Sequence, residues 1–214
     1  MFVSHKLILF LSGVIALLSL SACNGIFKDI YDEPLTDENG GFGFVEVDEN
    51  AGTGRIYIDA TDYTEWHYID LHNKKVVTEK VGQTAPAAWD VAVHRYDAKT
   101  NGGAVTEVEA KDFNSLPHIN TIPDESFVYD EWTTDRITID MSQMMDGVIV
   151  YAEDYYNPCL SKWLNVNTSV MPPIYTLSSR IYLIRLPDSS YAALRLSNYM
   201  NGATVKGFMT IEYQ

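Results

Sequence analysis

Short alternations of apolar and polar residues recur along the chain, with the period of two that is typical of β-strands. Seven segments show this pattern and predict strands, at residues 55–59, 66–71, 89–93, 136–140, 148–151, 181–186 and 208–213. Turn signals such as Asn101-Gly102-Gly103 separate several of them, and helical periodicity is hard to find beyond the N-terminal segment. We therefore predict an all-β fold, a single-domain antiparallel two-sheet sandwich whose loops form a ligand pocket.

Two segments do not fit this alternation. Residues 158–163 suit either a short helix or a strand, and residues 141–147 form an irregular loop between two predicted strands. The 14 tyrosines and four tryptophans agree with the all-β prediction, because aromatic side chains fit a pleated, half-buried surface.

The N-terminal segment has the features of a lipoprotein signal peptide. Lys6 precedes an apolar run at residues 7–20, and the run ends in Leu20-Ser21-Ala22-Cys23. The run is short for a membrane span, and small residues before a cysteine suit cleavage ahead of a lipidated thiol. We predict a signal peptide at 1–22, lipidation of Cys23, an acidic flexible tether at 23–43 and a β-rich domain at 44–214. The protein is then expected to be anchored to a membrane by its acyl chains alone.

The charge balance is strongly acidic. The formal net charge is -14, and removal of the signal peptide leaves 14 basic and 29 acidic residues. Such a surface repels phosphate backbones, so no nucleic-acid partner is expected. With Cys23 lipidated, Cys159 has no partner for an internal disulfide, and the fold depends on its core.

The common catalytic signatures are missing, which favours a binding protein over an enzyme. The sequence has no Gly-x-Ser-x-Gly, His-Glu-x-x-His or Cys-x-x-Cys motif. The abundant carboxylates leave a glycosidase-like pair open. The histidines beyond the leader show no metal-ligand spacing and are interpreted as structural: His67, His72, His94 and His118.

Methionines stand in two unusual positions. Met144 and Met145, with Met141, occupy the predicted loop at 141–147, and Met171 directly precedes Pro172-Pro173. Loop residues tend to be exposed, and a thioether is a soft ligand that can take an axial position on heme iron. Two such loops facing each other would hold a flat macrocycle from both sides. Nearby residues could line the pocket or meet propionates: Tyr151, Tyr155, Tyr156, Trp163, Tyr175, Lys162 and Arg180.

Two segments carry a resemblance to a known family. The stretch WDVAVHRY at 89–96, followed by KTNGG at 99–103, resembles the framework of HmuY-type heme-binding lipoproteins, or hemophores, and the similarity extends over about residues 44–214. The resemblance implies capture of heme outside the cell, with host heme proteins as donors and a TonB-dependent outer-membrane receptor as acceptor. It also implies a location at the outer membrane, on the cell surface or shed from it. Lys28-Asp29, close behind Cys23, is similar to surface-export signals of some lipoproteins.

Members of this family use either two histidines or two methionines as axial ligands. No histidine follows His118 in this chain, so the resemblance implies Met145 and Met171, with Met144 as the alternative to Met145. Trp89 and His94 are interpreted as scaffold.

Three functions remain open from the sequence. The first is heme binding through two methionines, and the second is a heme-free surface interaction or adhesion lipoprotein on the same scaffold. The third is a glycan hydrolase with an unrecognised carboxylate pair.

Overall fold

The computed structural model describes residues 41–214. The predicted signal peptide, Cys23 and the tether up to residue 40 lie outside the described residues. The first strand begins at Gly43, one residue before the predicted start of the domain. No helix in the described part of the chain is long and apolar enough to cross a membrane.

Fifteen strands make up about half of the described chain. In order they are β1 Gly43–Asp48, β2 Thr53–Asp59, β3 Glu65–Asp70, β4 Lys75–Lys80, β5 Val91–His94, β6 Asp97–Thr100, β7 Ala104–Val108, β8 Val128–Tyr129, β9 Glu131–Asp140, β10 Val150–Tyr156, β11 Leu164–Asn167, β12 Ile174–Leu177, β13 Ile181–Arg185, β14 Tyr191–Met200 and β15 Lys206–Tyr213. Five short 3-10 helices connect them, at Phe113–Ser115, Ile119–Thr121, Asp124–Ser126, Met144–Asp146 and Leu160–Trp163.

The strands form two larger sheets and two separate hairpins, all paired antiparallel. One sheet has seven strands in the order β1-β2-β15-β14-β13-β7-β8, and the other has four in the order β4-β3-β5-β6. The main core lies between these sheets, where Ile69 and Val93 of the smaller sheet join Ile184, Leu194 and other apolar residues of the larger one. Burial of this apolar surface is the main force that holds the two sheets together.

Both sheets are also covered on their outer faces. Trp66, Tyr68 and Ala92 of the four-stranded sheet pack against Ile137 of β9. On the seven-stranded sheet, Ile181 and other residues are covered by the segment that holds the short 3-10 helices before β8. Several strands are therefore buried on both sides, so their two faces are alike in polarity.

The all-β two-sheet prediction is confirmed. Each of the seven predicted segments overlaps a strand, although the strand predicted at 89–93 begins at Val91. The ambiguous segment 158–163 contains the 3-10 helix Leu160–Trp163, and the loop at 141–147 contains the 3-10 helix Met144–Asp146. The ten-residue strand β14 was not predicted.

Candidate functional site

The first methionine loop lies at the tip of a two-stranded hairpin. Strands β9 and β10 pair from Glu131 and Tyr156 at the base to Asp140 and Val150 at the tip, and we call them the first hairpin. Ile137 packs on the outer face of the four-stranded sheet and holds this hairpin against the body of the protein.

Hydrogen bonds within the loop fix its shape. The Asp140 carboxylate accepts a bond of 2.7 Å from the Ser142 N–H, and this bond lowers the pKa of Asp140. Gly147 has a φ of 78°, a left-handed conformation that favours glycine, and its N–H donates to the Met144 carbonyl at 3.0 Å. The short helix Met144–Asp146 thus presents its side chains at the hairpin tip.

The second methionine loop lies at the tip of another hairpin, formed by β11 and β12 and called the second hairpin. The Asn167 side chain accepts bonds from the Ser169 N–H and hydroxyl at 3.0 and 2.6 Å, which turns the chain at the end of β11. Met171 follows in this turn, and the peptide bond between it and Pro172 is cis.

Buried polar contacts attach the base of the second hairpin to the four-stranded sheet. Asn157 is fully buried; its N–H donates to Ala98, and its side-chain oxygen accepts from the N–H groups of Cys159 and Leu160. Ser161 Oγ accepts from the Ala98 N–H at 3.0 Å. Because all these groups have partners, the start of this hairpin is firmly positioned.

A cleft of about 400 Å³ runs between the two hairpins, and we call it the hairpin cleft. Four residues of each hairpin contribute to the walls, Asp135, Arg136, Thr138 and Tyr151 from the first and Leu164, Asn165, Val166 and Thr168 from the second. The lining ends at Thr168, three residues before Met171. The two methionine loops therefore belong to hairpins that share one cleft. A larger cleft of about 570 Å³ opens beside β1 and β4, and none of the predicted site residues line it.

The hairpin cleft contains charges of both signs. Arg136 and Lys162 supply positive charge, and Asp97 and Asp135 supply negative charge. Burial raises the pKa of Asp97 to about 7, an effect that the nearby Arg136 partly opposes. Around neutral pH Asp97 is therefore partly protonated, which shifts the charge of the cleft toward positive.

The three predicted ligand methionines are all accessible. The exposed fraction is 89% for Met145, 74% for Met171 and 37% for Met144. Methionine is ordinarily used to fill cores, and Met209 does so here. Sulfur at the hairpin tips is thus available to a ligand without rearrangement of the core.

The other residues predicted to line the pocket or to bind propionates lie in different environments. Tyr151 and Lys162 line the hairpin cleft, and Trp163 is buried in the main core. Tyr175 is partly buried, stacks on Tyr199 with ring centroids 5.6 Å apart, and lies under Lys206 Nζ at 4.9 Å. Arg180 binds Glu107 and Glu109, so its charge is already paired.

Arg136 and Asp97 are cleft residues that were not predicted from the sequence. The alternation along β9 carries a signal for Arg136, because the buried Ile137 places its neighbours on the opposite face. Arg136 lies 4.9 Å from the Tyr156 ring centre, where the cation interacts with the aromatic face. Asp97 begins a fully buried strand in which three of the four residues are polar, and its position gives no signal in the sequence.

In the described part of the chain, the side chains of His67, His72 and His94 form hydrogen bonds, and His118 is exposed. His94 is buried and bonds through Nε2 to the Tyr63 carbonyl at 2.8 Å, and burial lowers its pKa to about 4. His67 is also buried, with a lowered pKa. His72 approaches Asp70 and Asp90 closely enough to share a cation, but both carboxylates already accept backbone N–H groups of the turn after β3.

Comparison with known proteins decides the family. The model of the HmuY protein family matches residues 62–213. The chain belongs to the HmuY family. No curated protein matches the chain significantly.

Solved structures agree with this HmuY assignment. A protein from Bacteroides vulgatus described as a HmuY-like heme binding protein is 54% identical, with a TM-score of 0.75 over 81% of this chain and 97% of its own. One from Bacteroides fragilis, described as a lipoprotein, is 46% identical, with a TM-score of 0.76 over 85% and 97%. The apo HmuY analog of Tannerella forsythia is 22% identical, with a TM-score of 0.64 over 75% and 94%, and shares the fold.

Proposed function

We propose that this HmuY-family protein is an extracytoplasmic hemophore that binds heme at the tips of its two hairpins, with Met145 and Met171 as axial ligands and Met144 as the alternative to Met145. The observation that carries the proposal is the exposure of thioether groups at the tips of two hairpins that share one cleft. A flat macrocycle between two such tips has a ligand on each face.

The donors available on the hairpins support methionine ligation. No histidine occurs after residue 118, so neither hairpin can offer an imidazole. Cys159, at the base of the second hairpin, is buried in the core, and burial raises the pKa of its thiol. The accessible soft donors on the hairpins are therefore thioethers, which are established axial ligands of heme iron.

The surroundings of the methionines also suit a porphyrin. Val148, Val150 and Ile174 are exposed apolar residues close to the tips, and their burial against a macrocycle would be favourable. Arg136 and Lys162 of the hairpin cleft would meet the propionates, with Asp97 kept partly neutral by burial. For Tyr175, a contact with heme stays a prediction, since its ring is packed on Tyr199.

The proposal includes a location and partners. Lipidation of Cys23 would anchor the protein to the outer membrane, at the cell surface, from which it could be shed. Heme would come from host heme proteins and pass to a TonB-dependent outer-membrane receptor. Loop-mounted ligands suit such transfer, because a site at hairpin tips is open to a second protein.

A hemin titration of the purified full chain tests the proposed function. We expect saturable binding of one heme per chain with sharp bands of a six-coordinate complex after reduction. Arg136→Gln should weaken heme binding severalfold without moving these bands, because it removes a propionate partner and no iron ligand. Arg180→Gln is the matched control, since Arg180 is paired with Glu107 and Glu109 and should leave the affinity unchanged. A chain that shows no saturable heme binding would instead favour the adhesion function.

A further inference from the structure

A second cleft lies at the base of the first hairpin, away from the methionines. It has a volume of about 390 Å³, within the range of about 300–1,000 Å³ that small-molecule sites occupy. Trp89 and the turn Asn101-Gly102-Gly103 line one side, and Tyr129 and Tyr155 line the other. Along β10, Tyr155 is five residues from Val150 at the tip, or roughly 17 Å of strand. We call it the aromatic cleft.

Aromatic rings dominate this cleft. Tyr129 and Tyr155 are both more than half exposed, and Trp132 packs edge-on against Tyr155 with ring centroids 5.1 Å apart. Trp89 packs edge-on against Tyr68 at 5.0 Å, which holds its ring in place at the cleft wall. Exposed aromatic faces gathered around one concavity are typical of a binding site, because they leave a large apolar area in water until a ligand covers it.

The charged groups at the floor of the aromatic cleft are already paired with one another. Lys99 Nζ donates to both carboxylate oxygens of Asp154 at 2.9 Å and lies 4.0 Å from the Trp66 ring centre. Asp130 accepts from the Thr100 N–H at 2.7 Å and from the Asn157 side chain at 2.9 Å. Because these charged groups are already paired, an ionic ligand would find no free partner at the floor of the cleft. The cleft therefore favours a neutral ligand.

Unused polar groups stand beside the aromatic faces. In the described part of the chain, neither the Trp89 indole N–H nor the Tyr155 hydroxyl has a hydrogen-bond partner. The Asn101 side chain donates to the Trp89 carbonyl at 2.9 Å, which leaves its own carbonyl oxygen free at the rim. The matching ligand is apolar on one face and carries hydroxyl groups around its edge, which describes a pyranose ring.

We propose that the aromatic cleft binds a neutral pyranose unit of a glycan, which stacks on Tyr155 and Trp89 and forms hydrogen bonds with Asn101. Because the cleft shares no ligand residue with the hairpin tips, this binding is independent of heme. Trp89, interpreted as scaffold from the sequence, and residues 99–103 then also form part of the wall of a binding site.

Sugar titration of the full chain, held in a detergent that contains no glycoside, tests the proposal. The probes are the methyl glycosides of glucose, galactose, mannose and N-acetylglucosamine, followed by saturation-transfer NMR and calorimetry. At least one should bind saturably, and Tyr155→Ala should weaken it by about tenfold or more. Tyr155→Phe, which keeps the ring, should retain most of the affinity.

Two controls separate the site from other surfaces. Tyr191→Ala removes an exposed aromatic ring elsewhere and should leave sugar binding unchanged, as should Met145→Ala combined with Met171→Ala. The proposal is overturned if none of the four glycosides binds, or if Tyr155→Ala binds them like the parent. It is also overturned if tetramethylammonium binds in their place, since that result would make the cleft a cation cage.

Discussion

The indole Nε1 of Trp163 donates a hydrogen bond of 2.7 Å to the carbonyl oxygen of Tyr96. Trp163 ends the 3-10 helix from which the second hairpin begins, and Tyr96 lies in the turn between β5 and β6. This bond joins the 3-10 helix before the second hairpin to the four-stranded sheet. The first hairpin packs on the outer face of the same sheet. The two loops are therefore held by a common support.

Removal of this bond should destabilise the protein. Trp163→Phe keeps an aromatic ring in the core but leaves the Tyr96 carbonyl without its partner, at an expected cost of about 1–3 kcal/mol in the free energy of unfolding. Urea unfolding measures this change. Trp132→Phe is the control, because Trp132 is exposed on the first hairpin and should change the free energy by less than about 0.5 kcal/mol. Equal effects of the two substitutions would show that the bond to Tyr96 contributes nothing.

Alternation of apolar and polar residues reveals a strand most clearly where one face of a sheet is apolar, and β14, which is covered on both faces, was not predicted. In β2, Ile56 and Ile58 share one face and Arg55 and Asp59 lie on the other, so the alternation is visible although Tyr57 is also buried. In β14, Ala192, Ala193 and Leu194 are all buried, because this strand has the main core on one face and a second cluster on the other. When both faces of a strand are covered, the alternation between apolar and polar residues disappears.

The methionine loops could be predicted from the sequence, whereas the cleft between them could not. Turn residues and flanking strands place Met145 at a hairpin tip by local rules alone. Arg136, Lys162 and Asp97 line the same cleft only because segments far apart in the chain come into contact. In the sequence, charged residues such as Asp97 and Lys99 indicate a solvent-exposed strand, because the hairpins that bury them are not visible there.

His94 should make the fold sensitive to mild acid. Its pKa is lowered to about 4 in the folded state, so between pH 6.5 and 4 the unfolded chain binds a proton that the folded chain does not. Stability should therefore fall as the pH falls through this window, by on the order of 3 kcal/mol for this group. Urea unfolding at pH 7.5 and 4.5 measures the loss, which should be smaller in His94→Gln. An equal loss in both proteins would exclude His94 as its source.

Asp97 should affect the pH dependence of stability in the opposite direction. Its pKa is raised to about 7, so its contribution to stability is fully present below pH 3.8 and is lost as the pH rises through 7. Asp97→Asn removes this titration and should be more stable than the parent at pH 8, by on the order of 2–4 kcal/mol. Thermal unfolding at pH 4.5 and pH 8 checks the expectation. An advantage of the variant that is the same at both pH values would contradict the ionisation of Asp97 as its cause.

Heme affinity should depend on the oxidation state of the iron. Thioether sulfur is a soft, neutral ligand and favours ferrous over ferric iron, so reduced heme should bind more tightly. Titrations with hemin in the presence and absence of dithionite give both dissociation constants. Tighter binding of ferric heme would point to a histidine or tyrosine ligand and would contradict methionine ligation.

The identity of the axial ligands is tested most directly by absorption spectra of reduced heme bound to methionine variants at neutral and mildly acidic pH. A thioether does not protonate in this range, whereas imidazole does below its pKa of about 6.5, so the bands should persist at a mildly acidic pH at which the fold is intact. Met145→Ala and Met171→Ala should each change the bands and weaken binding, and Met144→Ala shows which neighbour in the first loop is the ligand.

Met200→Ala is the matched control for that measurement, because Met200 is as exposed as Met144 but lies at the end of β14. It should leave the spectrum unchanged, as should alanine at His67, His72, His94 and His118. The double variant Met145→Ala, Met171→Ala is expected to lose the six-coordinate spectrum. A double variant that binds heme like the parent, or a histidine variant that abolishes the bands, would contradict the bis-methionine site.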